Sequence, residues 1–220
     1  MKIVAINGSP RGMGGTTGRL LEEVIAGAKE SGAEVEIICL CDTPIKPCVA
    51  CDACHKVGTC PIKDEYETIK GKLEACDAFM LATPNYIFSV TAQMKAFVDR
   101  CNGLAHRTAL EGKYAVVVET SGGGEDEEVL NYLERIVNCQ GAQCVGKIGS
   151  PGAGPRMFPD QEALFEKARA LGKEVCAAVR EKRAYPEQDA YRLAFKARMS
   201  YLINMMGECW PYEREYLASR

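Results

Sequence analysis

Along the chain, short apolar runs alternate with longer stretches whose apolar positions recur at helical spacing. The runs at 2–6, 34–40, 78–82, 114–119 and 142–148 read as strands, and the second carries the β-branched Val35, Ile37 and Ile38. The stretches at 17–30, 64–75, 91–101, 126–139 and 161–183 read as helices. Five strands alternating with five helices predict an α/β fold. Its sheet is parallel and doubly wound in the order 2-1-3-4-5, with right-handed crossovers that place helices on both faces. In such sheets a ligand sits at the carboxyl ends of the strands, beside the switch point between strands one and three. The unusual loops of this chain follow strands one, two, three and four, all at that edge.

Two segments stand apart from this scheme. Residues 41–63 form a cysteine-bearing insertion after strand two, inside a domain that spans 1–183. Residues 184–220 follow a core that is already complete, and they hold five of the nine tyrosines and the only tryptophan, Trp210. Within them Tyr191, Ala194, Phe195, Met199, Leu202 and Met206 fall near one helical stripe. An apolar stripe beyond a finished core needs a surface to cover, and exposed stripes mark interfaces. We therefore expect a helical extension used in assembly, giving a homodimer or homotetramer.

Hydrophobic residues at 47%, charged residues at 26% and a net charge of −3 describe an ordinary globular chain with no general affinity for nucleic acid. No apolar run approaches the ~20 residues of a membrane span. The apolar start of the chain is too short for a signal peptide and reads as the first strand, so a cytoplasmic protein is expected. Twelve cysteines are many for such a chain. In a reducing compartment they are not structural disulfides, so some bind metal or do redox work. Eight are scattered (Cys39, Cys41, Cys76, Cys101, Cys139, Cys144, Cys176 and Cys209) and read as small buried hydrophobes.

The turn after strand one runs Asn7-Gly8-Ser9-Pro10-Arg11-Gly12-Met13-Gly14-Gly15-Thr16-Thr17. Its glycines permit close backbone approach, and the helix that follows presents free N–H groups to an anion. The helix dipole adds about 0.3–1 kcal/mol, up to ~2 when partly buried. Hydroxyls of Ser9, Thr16 and Thr17 and the fork of Arg11 add stronger charge-assisted bonds, as a phosphate monoester requires. A Walker loop needs a lysine that this turn lacks. The dinucleotide fingerprint needs a third glycine where Thr17 stands.

Gly8-Ser9-Pro10-Arg11, the glycines, Thr16-Thr17 and Leu20-Leu21 together resemble the FMN phosphate loop of the NADPH-dependent FMN reductase family, with Thr16 where that family often has Asn. Thr83-Pro84-Asn85-Tyr86-Ile87-Phe88 and the segment from Met94 to Arg100 are similar to that family's ring loop and the helix after it. The resemblance implies a flavodoxin-like fold in which Ser9, Arg11, Gly14, Gly15, Thr16 and Thr17 surround the FMN phosphate. By the same resemblance Pro84, Asn85, Tyr86, Ile87 and Phe88 lie against the isoalloxazine ring, and Ser121, Gly122 and Gly123 lie at its edge. Related reductases pair subunits around the flavin.

The remaining four cysteines stand in Cys48-Val-Ala-Cys51-Asp-Ala-Cys54-His-Lys-Val-Gly-Thr-Cys60-Pro61. Three at x₂ spacing let a short loop wrap a compact inorganic core, and the fourth closes the cage. Zinc remains a rival, with His55 as a substitute ligand, and so do redox-active thiols without metal. The spacing resembles the compact motif of iron–sulfur flavoproteins, which implies a 4Fe–4S cluster on Cys48, Cys51, Cys54 and Cys60. The two resemblances imply electron transfer between FMN and the cluster, with ferredoxin or NAD(P)H as carrier. The alternatives are an NAD(P)H-dependent FMN or quinone reductase without a cluster, and a non-catalytic thiol-based redox sensor. Cofactors carry the chemistry in the first two, so no side chain is assigned as catalytic.

Overall fold

The computed structural model describes residues 1–124 and 126–219. Five parallel strands pair in the order β2-β1-β3-β4-β5, as the alternation predicts. They are β1 (Lys2–Asn7), β2 (Glu34–Cys39), β3 (Ala78–Pro84), β4 (Tyr114–Ser121) and β5 (Gln143–Pro151). Six helices belong to the core and the cysteine insertion: α1 (Thr16–Glu30), α2 (Ala53–Lys56), α3 (Tyr66–Ala75), α4 (Ala92–Arg100), α5 (Asn102–His106) and α6 (Asp126–Cys139). After β5 come α7 (Gln161–Glu181), α8 (Pro186–Met206) and α9 (Pro211–Ala218). Among the described residues, no helix is long and apolar enough to cross a membrane.

Alternate residues of each strand feed two separate cores, the expected consequence of a two-residue side-chain period. Val4, Ile6, Phe79, Leu81 and Val117 pack under α3, α4 and α6, whereas Ile3, Ala5, Met80, Val116 and Val118 pack under α1 and α7. On that second face the backbones of α1 and α7 come into contact at two glycines. A Cβ on Gly27 would stand 2.0 Å from the Arg169 carbonyl oxygen, and one on Gly172 would stand 2.0 Å from that of Val24. Either Gly→Ala change would force the helices apart. Of the scattered cysteines, Cys76, Cys101, Cys144 and Cys176 are buried as expected, and Cys39, Cys41 and Cys139 are half-buried. Cys209 is a correction: it is exposed, because it lies in the turn between α8 and α9.

Register brings every candidate loop to one edge. Asn7 of β1 lies level with Cys39 and Ala82, Pro84 with Thr120, and Ser121 with Pro151. The extension packs on its own chain: Met199, Ile203 and Trp210 are buried. Tyr191, Ala194 and Phe195 of the expected stripe line a groove with Tyr132, Ile136 and Cys139 of α6. A different stripe, Leu193, Tyr201 and Met205, faces outward.

Candidate functional site

The turn after β1 is held open by its own side chains. Asn7 Oδ1 accepts the Ser9 N–H at 2.9 Å, and Ser9 Oγ accepts the Arg11 N–H at 3.3 Å. A 3₁₀ turn at Gly12–Gly14 then leads to Gly15, the N-cap of α1. A Cβ on Gly15 would stand 3.0 Å from both Ser9 Oγ and Arg11 Cβ, so glycine leaves a cradle lined by that hydroxyl and by the free amides of the helix. Arg11 and Gly14 are exposed at its rim. Thr16 Oγ1 accepts the Arg156 N–H at 3.2 Å, and the Arg156 guanidinium donates to the Met13 carbonyl and, at 2.9 Å, to Glu22. Thr17 Oγ1 shares a buried 2.6 Å hydrogen bond with Thr120 Oγ1. A hydroxyl both donates and accepts, so Thr17 can meet Thr120 and an anion together.

The next loop is tied to the first. Thr91 Oγ1 donates to the Gly8 carbonyl at 2.7 Å and accepts the Met94 N–H at 3.2 Å, which caps α4. Asn85 N–H donates to the Thr120 carbonyl at 2.8 Å, and Tyr86 N–H to that of Ser89 at 2.8 Å. The turn so closed puts Ile87 at φ 51° and Phe88 at φ 60°. Left-handed geometry costs non-glycine residues of order 1–3 kcal/mol each and is least natural for a β-branched one. That strain holds up an apolar rim, with Ile87 90% exposed and Tyr86 and Phe88 also in solvent. Opposite it, Ser121 Oγ accepts the Gly124 N–H at 2.9 Å while Gly122 and Gly123 have open space around them. The arrangement suits a flat ring between two loops and a phosphate in the Gly15 cradle.

The cysteine run is clamped at its base. Arg100 Nη1 donates to Asp64 Oδ2 at 2.8 Å and to the Lys46 carbonyl at 3.0 Å, and Nη2 donates to Asp64 Oδ1 at 3.2 Å. The pair is almost fully buried, and the guanidinium lies 4.6 Å over the Tyr66 ring. Burial alone would raise the Asp64 carboxyl, but the bonds from Arg100, Lys46 N and Tyr66 N hold it below its usual range. Within the run, Ala50 (φ 50°) and Asp52 (φ 58°) are left-handed, and Ala50 N–H donates to Cys48 Sγ at 3.4 Å. Cys54 Cβ packs against Gly103 of α5, and Cys60 N–H donates to Glu67 at 2.8 Å.

Among the described residues, no three sulfurs of the run lie within 4.8 Å of one another. Zn–S bonds of about 2.3 Å set sulfurs about 3.8 Å apart. Among the described residues, the donor triplets within 4.8 Å of one another are Cys39–Cys41–Asp42 and His55–His106–Glu213, and neither contains two cysteines of the run. Burial first, and then the Cys41 sulfur, pushes the Cys39 thiol up.

A sequence profile of the NADPH-dependent FMN reductase family matches residues 1–151. The chain belongs to this family. An iron–sulfur flavoprotein of Archaeoglobus fulgidus is 33% identical over 217 residues, covering 98% of this chain and 97% of the relative. A second iron–sulfur flavoprotein of that organism is 43% identical over 197 residues, covering 80% of this chain and 94% of the relative. Among solved structures, RosB with bound 8-demethyl-8-formylriboflavin-5'-phosphate matches with a TM-score of 0.67 at 17% identity, over 91% of this chain and 87% of that one, and shows a shared fold. The protein is therefore a flavin-dependent oxidoreductase with a flavodoxin-like fold, and its flavin is FMN.

Several residues that shape the candidate site of this FMN reductase family member carry no signal in the sequence. Thr120 and Arg156 brace the turn after β1 and the start of α1, from β4 and from the loop before α7. Glu119, one residue before Thr120, is 0% exposed, and neither of its oxygens has a hydrogen-bond partner among the described residues. Burial and then the nearby Asp126 carboxyl push it up to about 9, so it is neutral at pH 7. His55 is the opposite case. Burial disfavours its charge, but Cys54 and Glu213 outweigh burial and hold the imidazole at about 10.

Proposed function

We propose that this flavoprotein couples FMN to a 4Fe–4S cluster held by Cys48, Cys51, Cys54 and Cys60, moving electrons between a carrier, ferredoxin or NAD(P)H, and an acceptor. The observation that carries the reading is the backbone of the run. Left-handed Ala50 and Asp52 stand between Cys48, Cys51 and Cys54, and left-handed residues in a turn are the ingredient of the nests that suit anionic phosphate and Fe–S groups. The Ala50 N–H already meets a sulfur. The four thiols offer the donor set of one cubane, and Arg100 fixes the ends of the loop that bears them. Together the two groups would convert between two-electron and one-electron carriers. The chain's own part is to bind the phosphate with Ser9, Arg11, Thr16 and Thr17, to frame the ring with Pro84–Phe88 and Ser121–Gly123, and to hold the cluster's ligands.

Protein purified anaerobically should carry FMN, iron and acid-labile sulfide, and Cys51→Ser should lose the iron while keeping FMN, because the phosphate loop is built elsewhere. Stoichiometric zinc in place of iron in iron-replete cells would sink the cluster. Steady-state turnover with reduced ferredoxin against NADPH then separates the coupled protein from a cluster-free FMN or quinone reductase. Arg11→Ala should weaken FMN far more than riboflavin. One charge-assisted hydrogen bond is worth about 1.5–3 kcal/mol, or roughly ten- to hundredfold in affinity. Equal losses for both ligands in a fluorescence titration would remove Arg11 from the phosphate.

The outer face of α8 supports assembly as a homo-oligomer. Leu193, Tyr201 and Met205 fall within about a third of the helix circumference and stand largely exposed. Tyr201→Glu should shift the mass measured by light scattering toward monomer, and an unchanged mass would take this face out of the interface.

A further inference from the structure

A buried polar cluster joins the C-terminal helix to the cysteine run. His55 of α2 donates from Nδ1 to Glu213 Oε1 at 2.7 Å, and His106 of α5 donates from Nδ1 to Glu213 Oε2 at 3.1 Å. Relative exposures are 2%, 11% and 0% for His55, His106 and Glu213. The two imidazoles stack with centroids 4.5 Å apart and planes at 18°, and Trp210 covers both at 4.4 and 5.1 Å. Three donors so close could suggest a metal ion. The ring planes decide otherwise, since in-plane lone pairs of nearly parallel imidazoles do not converge on one ion at about 2.0–2.1 Å. Each N–H instead meets its own carboxylate oxygen, and the group is a clamp.

The other contacts of α9 reach the same place. A Cβ on Gly58 would stand 2.4 Å from the Tyr212 ring, so run and helix touch directly. Arg107, one residue beyond α5, lies 5.3 Å from the Tyr212 ring and 4.9 Å from that of Tyr216. The part of the run beside Cys54 is α2, a single turn of four residues. A helix that short does not sustain itself, so its shape depends on α5 beneath it and α9 above it.

We propose that α9 is a latch over the cysteine run, closed by Glu213 as a positioning residue, so that docking of α9 and occupancy of the run favour each other. The occupancy half rests on the reading that the run holds a cluster. A loop already ordered by the latch loses less conformational freedom when its thiols take up a ligand. By reciprocity the filled run must hold the latch more tightly by the same factor. Sequence neighbours of the cysteines do not reveal this device, because its closing residue lies 158 positions from His55.

Glu213→Ala and Glu213→Gln in the full-length, FMN-loaded protein test the proposal. Three quantities are read: iron released to a chelator, alkylation of Cys54 by iodoacetamide in cluster-free protein, and emission from Trp210. Losing both charged bonds in Glu213→Ala should speed iron loss and Cys54 labelling about ten- to hundredfold and shift the emission to the red. Glu213→Gln keeps one acceptor oxygen and should recover part of the difference. FMN affinity should not change, whereas a general loosening of the fold would lower it. Unchanged labelling in Glu213→Ala overturns the latch, as does faster labelling that tracks a matching loss of FMN affinity. If the wild type takes up no iron, the cluster reading fails by itself. Cys54 labelling then decides the latch, which stands if Glu213→Ala is faster and falls if it is not.

Discussion

Arg100→Ala is expected to cost about 3–5 kcal/mol of stability, the range seen when one partner of a buried ion pair is removed. The substitution leaves the Asp64 carboxylate in a nearly dry site with only the Lys46 and Tyr66 N–H groups as partners. It also removes the bond to the Lys46 carbonyl and the cation from the face of Tyr66. Urea melts monitored by far-ultraviolet circular dichroism measure the loss directly. Arg100→Lys should recover only part of it, because a point ammonium cannot reproduce the fork that spans both Asp64 oxygens and Lys46. The same pair sets an acid limit. Asp64 has a folded value below its unfolded one, so its contribution is complete above the unfolded pKa near 3.8 and fades as pH falls through the lower folded value. The difference between wild type and Arg100→Ala should therefore shrink under strong acid.

This clamp has a consequence for chemistry as well as stability. Residues 46 and 64 bracket the four cysteines, so opening the base frees both ends of the run at once. Limited proteolysis between them should accelerate in Arg100→Ala while cleavage elsewhere in the FMN-bound core does not. If the melt midpoint falls but the run stays protected, the clamp is a brace for α4 and α3 alone.

The sheet order was legible because alternation of apolar runs and helical stripes is local information, repeated five times. Strand ends were not. β3 extends to Pro84 and β5 to Pro151, where Thr83, Ser150 and the prolines read as turn residues but pair with β4. The Gly-rich turn after β1 and the cysteine run were legible as compact motifs in the sequence. Their supports were not, because each lies far away along the chain: Thr120 from Thr17 by 103 positions, Asp64 from Arg100 by 36 and Arg156 from Thr16 by 140. The stripe on the C-terminal extension was read from spacing, but spacing does not say what a stripe covers. Tyr191, Ala194 and Phe195 turn toward α6 of the same chain, while Leu193, Tyr201 and Met205 occupy the free face.

Glu119→Gln is expected to stabilise the protein at neutral and higher pH by an amount that grows with pH. Glu119 has a folded value of about 9 against an unfolded value near 4.5, so between these limits the folded chain holds a proton that the unfolded chain has lost. Folding therefore takes up a proton, and the stability of the wild type falls as pH rises through that window. Each pH unit is worth about 1.4 kcal/mol for one fully shifted group, so the penalty at pH 7 is about 2–3 kcal/mol once relaxation around the site is allowed for. Glutamine keeps the shape and removes the titration. Its amide, like the protonated carboxyl, is buried beside Asp126 and Gly149, so at pH 5 the two proteins should be nearly equal. Urea melts at pH 5, 6, 7 and 8 should thus give a gap between variant and wild type that widens steadily. A constant gap would mean that Glu119 is already ionised in the folded protein, with Asp126 or an ordered water satisfying it. The position makes the result matter for the flavin site: Glu119 stands one residue before Thr120, the partner of both Thr17 and Asn85. A charge forced into that site would act on the turn after β1 and the loop after β3, which we propose hold the phosphate and frame the ring, so FMN affinity in the wild type should fall at high pH where that of Glu119→Gln holds.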